Sequence, residues 1–232
     1  MLVLSLQRFA IFARLQERIN AYVAHCGEKP KRIMYVRDGV GDSQFKRLLQ
    51  EEWSCLRDAV KKALPDDNPY LVFVVAQKSH SLRVFDPSGH VSSLLTMNKC
   101  RACLQKGNVI MGTAVTSESG VTSLEVQDFY LVAHKALQGT SKPLRYVLLA
   151  HGWAVPDKNK PVPKEYEMTE GVSFLLFAWR FILLICSESL MREIMQLHMR
   201  NERAQKSCRL PAPIKFADLV AERAAVHAAD MP

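Results

Sequence analysis

An α/β sheet covered by helices is the fold class that the sequence predicts, and three observations predict it. Arg32–Val36 (RIMYV) and Tyr70–Gln77 (YLVFVVAQ) are short apolar runs, partly β-branched and without alternation, as strands buried on both faces require. A segment with apolar residues at helical spacing precedes the first run, and another separates the two. The last third of the chain returns to helical character after a β-rich middle. In such sheets function collects at the carboxyl ends of the strands, which here are marked by Asp38 and by Gln77-Lys78.

The elements follow in order. From Leu4 to His25, Leu6, Phe9, Ala13, Ile19 and Tyr22 recur at near-helical spacing between charged residues, and Gly27 ends the helix. After the first strand, Arg37-Asp38-Gly39 turns the chain. Asp42 or Ser43 is the expected cap of a second helix whose apolar face includes Phe45, Leu48, Leu49, Trp53, Leu56 and Val60. Beyond Tyr70–Gln77, Leu82–Phe85 is expected to pair across the turn Asp86-Pro87-Ser88-Gly89. Further strands are expected at 108–115, 127–134 and 144–150, then helices over 171–204 and 214–229 broken by Leu210-Pro211-Ala212-Pro213. There is no internal repeat and no low-complexity tract.

The chain has 232 residues, enough for one domain with a real core. A formal net charge of +8 favours an acidic partner without choosing among RNA, DNA and an anionic surface. The six cysteines are scattered through apolar or helical stretches, which points away from a disulfide framework and towards a reducing compartment, cytoplasmic or nuclear. Cys100 and Cys103 form a lone CxxC with no second pair to complete a zinc site. The apolar run Val172–Cys186 is too short to span a bilayer and carries Arg180 in its middle, so no membrane role is expected.

On chemistry alone, Asp38 before Gly39 is an ordinary turn or a carboxylate placed to hold a divalent metal. Four segments add a resemblance. They are Lys31–Phe45 (KRIMYVRDGVGDSQF), Ala76–Phe85 (AQKSHSLRVF), Asp128–Pro143 (DFYLVAHKALQGTSKP) and Leu210–Ala224 (LPAPIKFADLVAERA). In that order they resemble the conserved segments of the C-terminal part of the PIWI domain of Argonaute-family proteins. The resemblance covers about 15–150 and 190–229, leaving about 152–190 as an atypical insert.

The resemblance implies an RNase H-like PIWI fold, a mixed sheet flanked by helices and missing its first strands, in a chain that is part of a larger domain. In that family, clustered acids bind two Mg²⁺ ions for phosphodiester cleavage, and two close metals need several carboxylates. By resemblance Asp38 and Asp218 are the catalytic and metal-binding acids. The family's earlier catalytic Asp and its glutamate have no counterpart here, Glu17 being too close to Asp38. Cleavage by this chain alone is therefore not expected, unless upstream sequence supplies the missing acids.

The RNA-binding positions are better kept. By resemblance Lys78, Arg83, His134, Gln138, Thr140 and Lys142 contact the guide backbone, and Arg223 helps to bind its 5′ phosphate. Arg203, Lys206, Arg209 and Lys215 keep the basic character of the guide-facing segment, although Lys215 stands where an aromatic is usual and Ser79 where a base is common. The expected partners are a small guide RNA, its complementary target RNA and silencing-complex proteins. A remnant that binds only proteins is the alternative from another class.

Overall fold

The computed structural model describes residues 15–85, 108–115, 127–135, 140–156, 190–200 and 206–229. Among these, five strands are hydrogen-bonded in the order β1-β2-β5-β4-β3. They are β1 (Arg32–Asp38), β2 (Tyr70–Gln77), β3 (Thr113–Val115), β4 (Asp128–Val132) and β5 (Leu144–Trp153). Helices flank this sheet, giving the mixed α/β architecture expected. The chain forms two compact units, Met1–Val75 with Leu148–Pro163 and Ala76–Val147 with Lys164–Pro232, so β2 and β5 each contribute to both.

In the first unit, helix α1 (15–26) stops where Gly27 takes φ 70° and its N–H bonds to Val23 O at 2.9 Å. β1 runs on through Asp38, two residues beyond the apolar run, and Gly39 at φ 73° makes the turn in a conformation that side chains resist. The second helical segment is less regular than its periodicity implies. A 3₁₀ turn (Asp42–Gln44) has Gly41, not Asp42 or Ser43, at its N-cap, and no side chain caps it. Then come α2 (Phe45–Leu48), a π turn (Leu49–Trp53) and α3 (Ser54–Ala63). Ser54 Oγ–H bonds back to Gln50 O at 3.0 Å, tying the π turn to α3.

Ile19, Leu56, Val60, Leu64, Leu71 and Ala154 form the buried core of this unit. Phe73, fully buried on β2, meets Tyr35 edge-on and Trp53 stacked, with ring centroids 5.1 and 6.3 Å away. At the start of β2, Asn68 imitates a strand, donating to Val155 O and accepting from Val155 N–H, both at 2.8 Å.

In the second unit, β4 pairs antiparallel with both neighbours, Asp128 opposite Val147 and Leu131 opposite Ala114. The strand expected over 108–115 is interrupted. Gly112 turns at φ 92°, and Ile110 O accepts from both the N–H and the hydroxyl of Thr113, so only Thr113–Val115 join the sheet. Phe85 bridges Asn108 antiparallel, while the turn expected at 86–89 lies outside the described residues. Of the helix expected over 171–204, residues 190–199 are described as α4. Helix α5 (Ala212–Ala229) begins two residues earlier than expected, because Pro213 falls in the first turn, where a missing N–H costs nothing. Of the expected insert, about 152–190, residues 157–189 lie outside the described residues, as do Cys100, Cys103 and Val172–Cys186. Of the described cysteines, Cys26, Cys55 and Cys208 form no disulfide. No described helix is long and apolar enough to cross a membrane.

Candidate nucleic-acid interface

Asp38, half-buried at the end of β1, belongs to the first unit, where its Oδ1 accepts the N–H of Gly39 at 2.7 Å. Arg37 beside it donates to Glu52, which also accepts the Tyr35 hydroxyl at 3.2 Å. Burial, followed by the charge of Glu52, pushes the Tyr35 phenol well above its usual value, so it stays a neutral donor. A cavity of about 270 Å³ on this unit, lined by Ser54, Arg57, Asp58, Lys61 and Ala154–Pro156, touches none of the residues singled out by sequence.

The second unit holds most of the RNA-binding candidates. Gln77 and Lys78 follow the buried run of β2, and Arg209 precedes α5. Arg209 donates from Nη2 to Lys78 O at 3.4 Å, and its Nε is buried with no partner. His80 donates from Nε2 to Pro143 O at 2.9 Å, which leaves its Nδ1 buried and unpaired. The Nδ1 of His134 is likewise buried and unpaired. Burial holds the pKa of His80 below its usual value, and the charges of Arg83, Arg209 and Arg145 lower it further. Burial and then Arg209 do the same to His134. The two rings therefore share the field of one guanidinium whose Nε–H has no acceptor, and unsatisfied buried donors of this kind are unusual in folded proteins. An anionic oxygen reaching the half-buried guanidinium would neutralise this field.

The other candidates have separate places. Arg83 turns onto the carbonyls of Leu82 and His80 at 2.7 and 3.3 Å. Lys142, Lys206 and Arg223 are exposed, while Thr140 and Lys215 are half-buried. Gln138 and Arg203 lie outside the described residues. Asp218 is ion-paired with Lys78 at 3.3 Å.

Three groups were missed by sequence reasoning. Arg145 donates to Asp128 Oδ2 from Nε at 2.7 Å and to Gln77 Oε1 from Nη1 at 2.8 Å, fixing the residue before Lys78. Asn108, buried, accepts the N–H of Ser141 at 3.0 Å and so fixes that residue. His198 is fully buried between Tyr146 and Cys208. Asp128 and Ser141 lie in the matched motif and could have directed attention to it, but their partners carry no sequence signal.

Burial lowers the pKa of His198 to about 4, against about 6.5 for a free imidazole. The unfolded chain then binds more protons than the folded chain between those values, so folded-state stability is lost as pH falls from about 6.5 towards about 4. His80, His134 and His151, also lowered, act in the same direction. The urea midpoint is expected to fall between pH 7 and pH 5; a midpoint that holds constant over that range contradicts the burial of these rings as neutral groups.

A Piwi domain family model matches residues 5–159. This chain belongs to the Piwi-domain family. The Piwi-domain chain is 31% identical over 214 residues to putative protein tag-76 of Caenorhabditis elegans, an alignment covering 92% of this chain and 16% of that protein. It is 37% identical over 149 residues to protein argonaute 2 of Oryza sativa subsp. japonica, covering 63% of this chain and 13% of that one. The structure of Kluyveromyces polysporus Argonaute with a guide RNA superposes with a TM-score of 0.61 at 25% identity, over 90% of this chain and 21% of that one. The fold is thus the RNase H-like PIWI fold, and the chain spans less than a fifth of the length of these two curated relatives.

The described residues do not fit a two-metal centre. Asp218 is already paired with the Lys78 ammonium, and no group of three potential metal ligands occurs among the described residues.

Proposed function

We propose that this Piwi-domain chain holds the sugar–phosphate backbone of a small guide RNA paired with target RNA in gene silencing, and does not cleave RNA by itself. One observation carries the reading: the buried, unpartnered Nε of Arg209 in the second unit, in whose field His80 and His134 both lie. A guanidinium donor suits an anionic oxygen and reads no base, as sequence-independent holding of a backbone requires. The exposed Lys142, Lys206 and Arg223 extend the basic surface, and the likeness to a guide-bound Argonaute supports the same ligand class. Silencing-complex proteins and a cytoplasmic site of action complete the proposal. Cleavage would require further carboxylates beside Asp38 and Asp218.

The test is binding of a short single-stranded RNA, with and without a 5′ phosphate, at low and moderate salt. Affinity is expected to fall steeply with salt. Arg209→Ala is expected to weaken both RNAs by about 10- to 100-fold, the range of a hydrogen bond to a charged group. Arg223→Ala is expected to remove the preference for the phosphorylated end while leaving the other RNA nearly unaffected. Salt-independent binding, or an Arg209→Ala chain with unchanged affinity, would contradict the proposal.

A further inference from the structure

We propose that His198 is a positioning residue for RNA, clamping Cys208 so that the guanidinium of the next residue, Arg209, is held ready for a phosphate; this rests on the backbone-binding reading above. His198 is 0% exposed on α4, so RNA cannot touch it directly. Its Nδ1 lies 2.8 Å from Cys208 O, and a carbonyl can only accept, so Nδ1 carries the proton. The neutral ring then has its lone pair on Nε2, which accepts the Tyr146 hydroxyl at 2.6 Å. Cys208 N–H returns a bond to His198 O at 3.1 Å. Both backbone polar groups of Cys208 are thereby held by one residue.

The surroundings make that clamp matter. Tyr146 is itself fully buried, stacked on Phe129 and edge-on to His198, so the imidazole rests on β5 as a fixed wall. On the other side of Cys208, the Ser207 hydroxyl donates to Met111 Sδ at 2.7 Å. Arg209 makes one hydrogen bond among the described residues, a long one of 3.4 Å from Nη2. Its Nε position is therefore set by the backbone that carries it more than by its own contacts. Groups preorganised by a supporting shell lose much of their effect when that shell loosens.

The experiment is a double-mutant cycle on the full chain, read with a short 5′-phosphorylated RNA. His198→Leu and Arg209→Ala are each expected to weaken binding about 10-fold or more, and the double variant no further than the weaker single. His198→Asn, whose amide can donate from the Nδ1 position, is expected to restore most of the affinity. The ¹⁵N spectrum is expected to show His198 protonated at Nδ1. Independent, multiplying losses, a His198→Asn chain no better than His198→Leu, or an Nε2-protonated ring would each overturn the proposal. If His198→Leu does not fold, Tyr146→Phe takes its place in the cycle, with a loss of a few-fold that Arg209→Ala masks. If the unaltered chain binds no RNA, the functional reading fails while positioning is still decided. The Arg209 Nε–H resonance should then shift in His198→Leu and return in His198→Asn, and an unmoved resonance refutes the clamp.

Discussion

Replacing Arg145 with leucine is expected to destabilise the folded chain by about 3–5 kcal/mol, the cost of leaving a buried charge without its partner. The side chain of Asp128 is 1% exposed, and Arg145 reaches its Oδ2 with two nitrogens, at 2.7 and 2.6 Å. Asp128 Oδ1 is buried without a partner, so this carboxylate depends heavily on the one guanidinium. Arg145 also donates to Gln77 Oε1, and that hydrogen bond goes in the same variant. Changing Asp128 to leucine as well is expected to recover much of the loss, because the charge that required compensation is gone. Urea unfolding of the two variants decides the point. A single variant that loses under 1 kcal/mol would show that water reaches Asp128.

Phe73→Ala is expected to cost about 3–5 kcal/mol, as for other large aromatic truncations in a packed core. Phe73 is fully buried, and the Tyr35 and Trp53 rings close on it from β1 and from the π turn. Removing it takes away the contact face of both rings and leaves a void that β2 cannot collapse to fill. Trp53 makes the effect visible, since its indole stacks on Phe73 at an interplanar angle of 21°. A red-shifted tryptophan emission and a lowered urea midpoint are expected together. A lowered midpoint without change in emission would place the damage away from Trp53.

These two sites differ in how far the sequence announces them. Phe73 sits in an uninterrupted apolar run, and such a run has few alternatives to a strand buried on both faces. Asp38 was legible for a related reason: an acid closing a β-branched run before Gly39 marks a strand end. Arg145 and Asp128 were not legible as a pair, because 17 residues separate them and no periodicity links an arginine on β5 with an acid on β4. The same holds for His198 and Tyr146, 52 residues apart, which look in sequence like an isolated histidine and an ordinary strand tyrosine. The π turn at Leu49–Trp53 escaped notice because one extra residue in a turn hardly disturbs a 3.6-residue pattern of apolar side chains. Local rules thus anticipated most of the described elements, while the basic residues were named by motif resemblance alone. What holds those residues in place depends on pairings across the fold, which neither source contains.

The ion pair between Lys78 and Asp218 changes how the basic surface should be weighed. When nucleic acid meets an unpaired lysine, the phosphate sheds its condensed cation to the solvent, and that release makes binding sensitive to ionic strength. Lys78 instead keeps an anion tethered to the same chain. A phosphate reaching it must displace a carboxylate that cannot diffuse away, and the bared carboxylate draws a cation back, so the net release is small. Lys78 therefore adds less entropy of release than an exposed residue such as Lys142, and counting basic side chains overstates how strongly salt governs this surface.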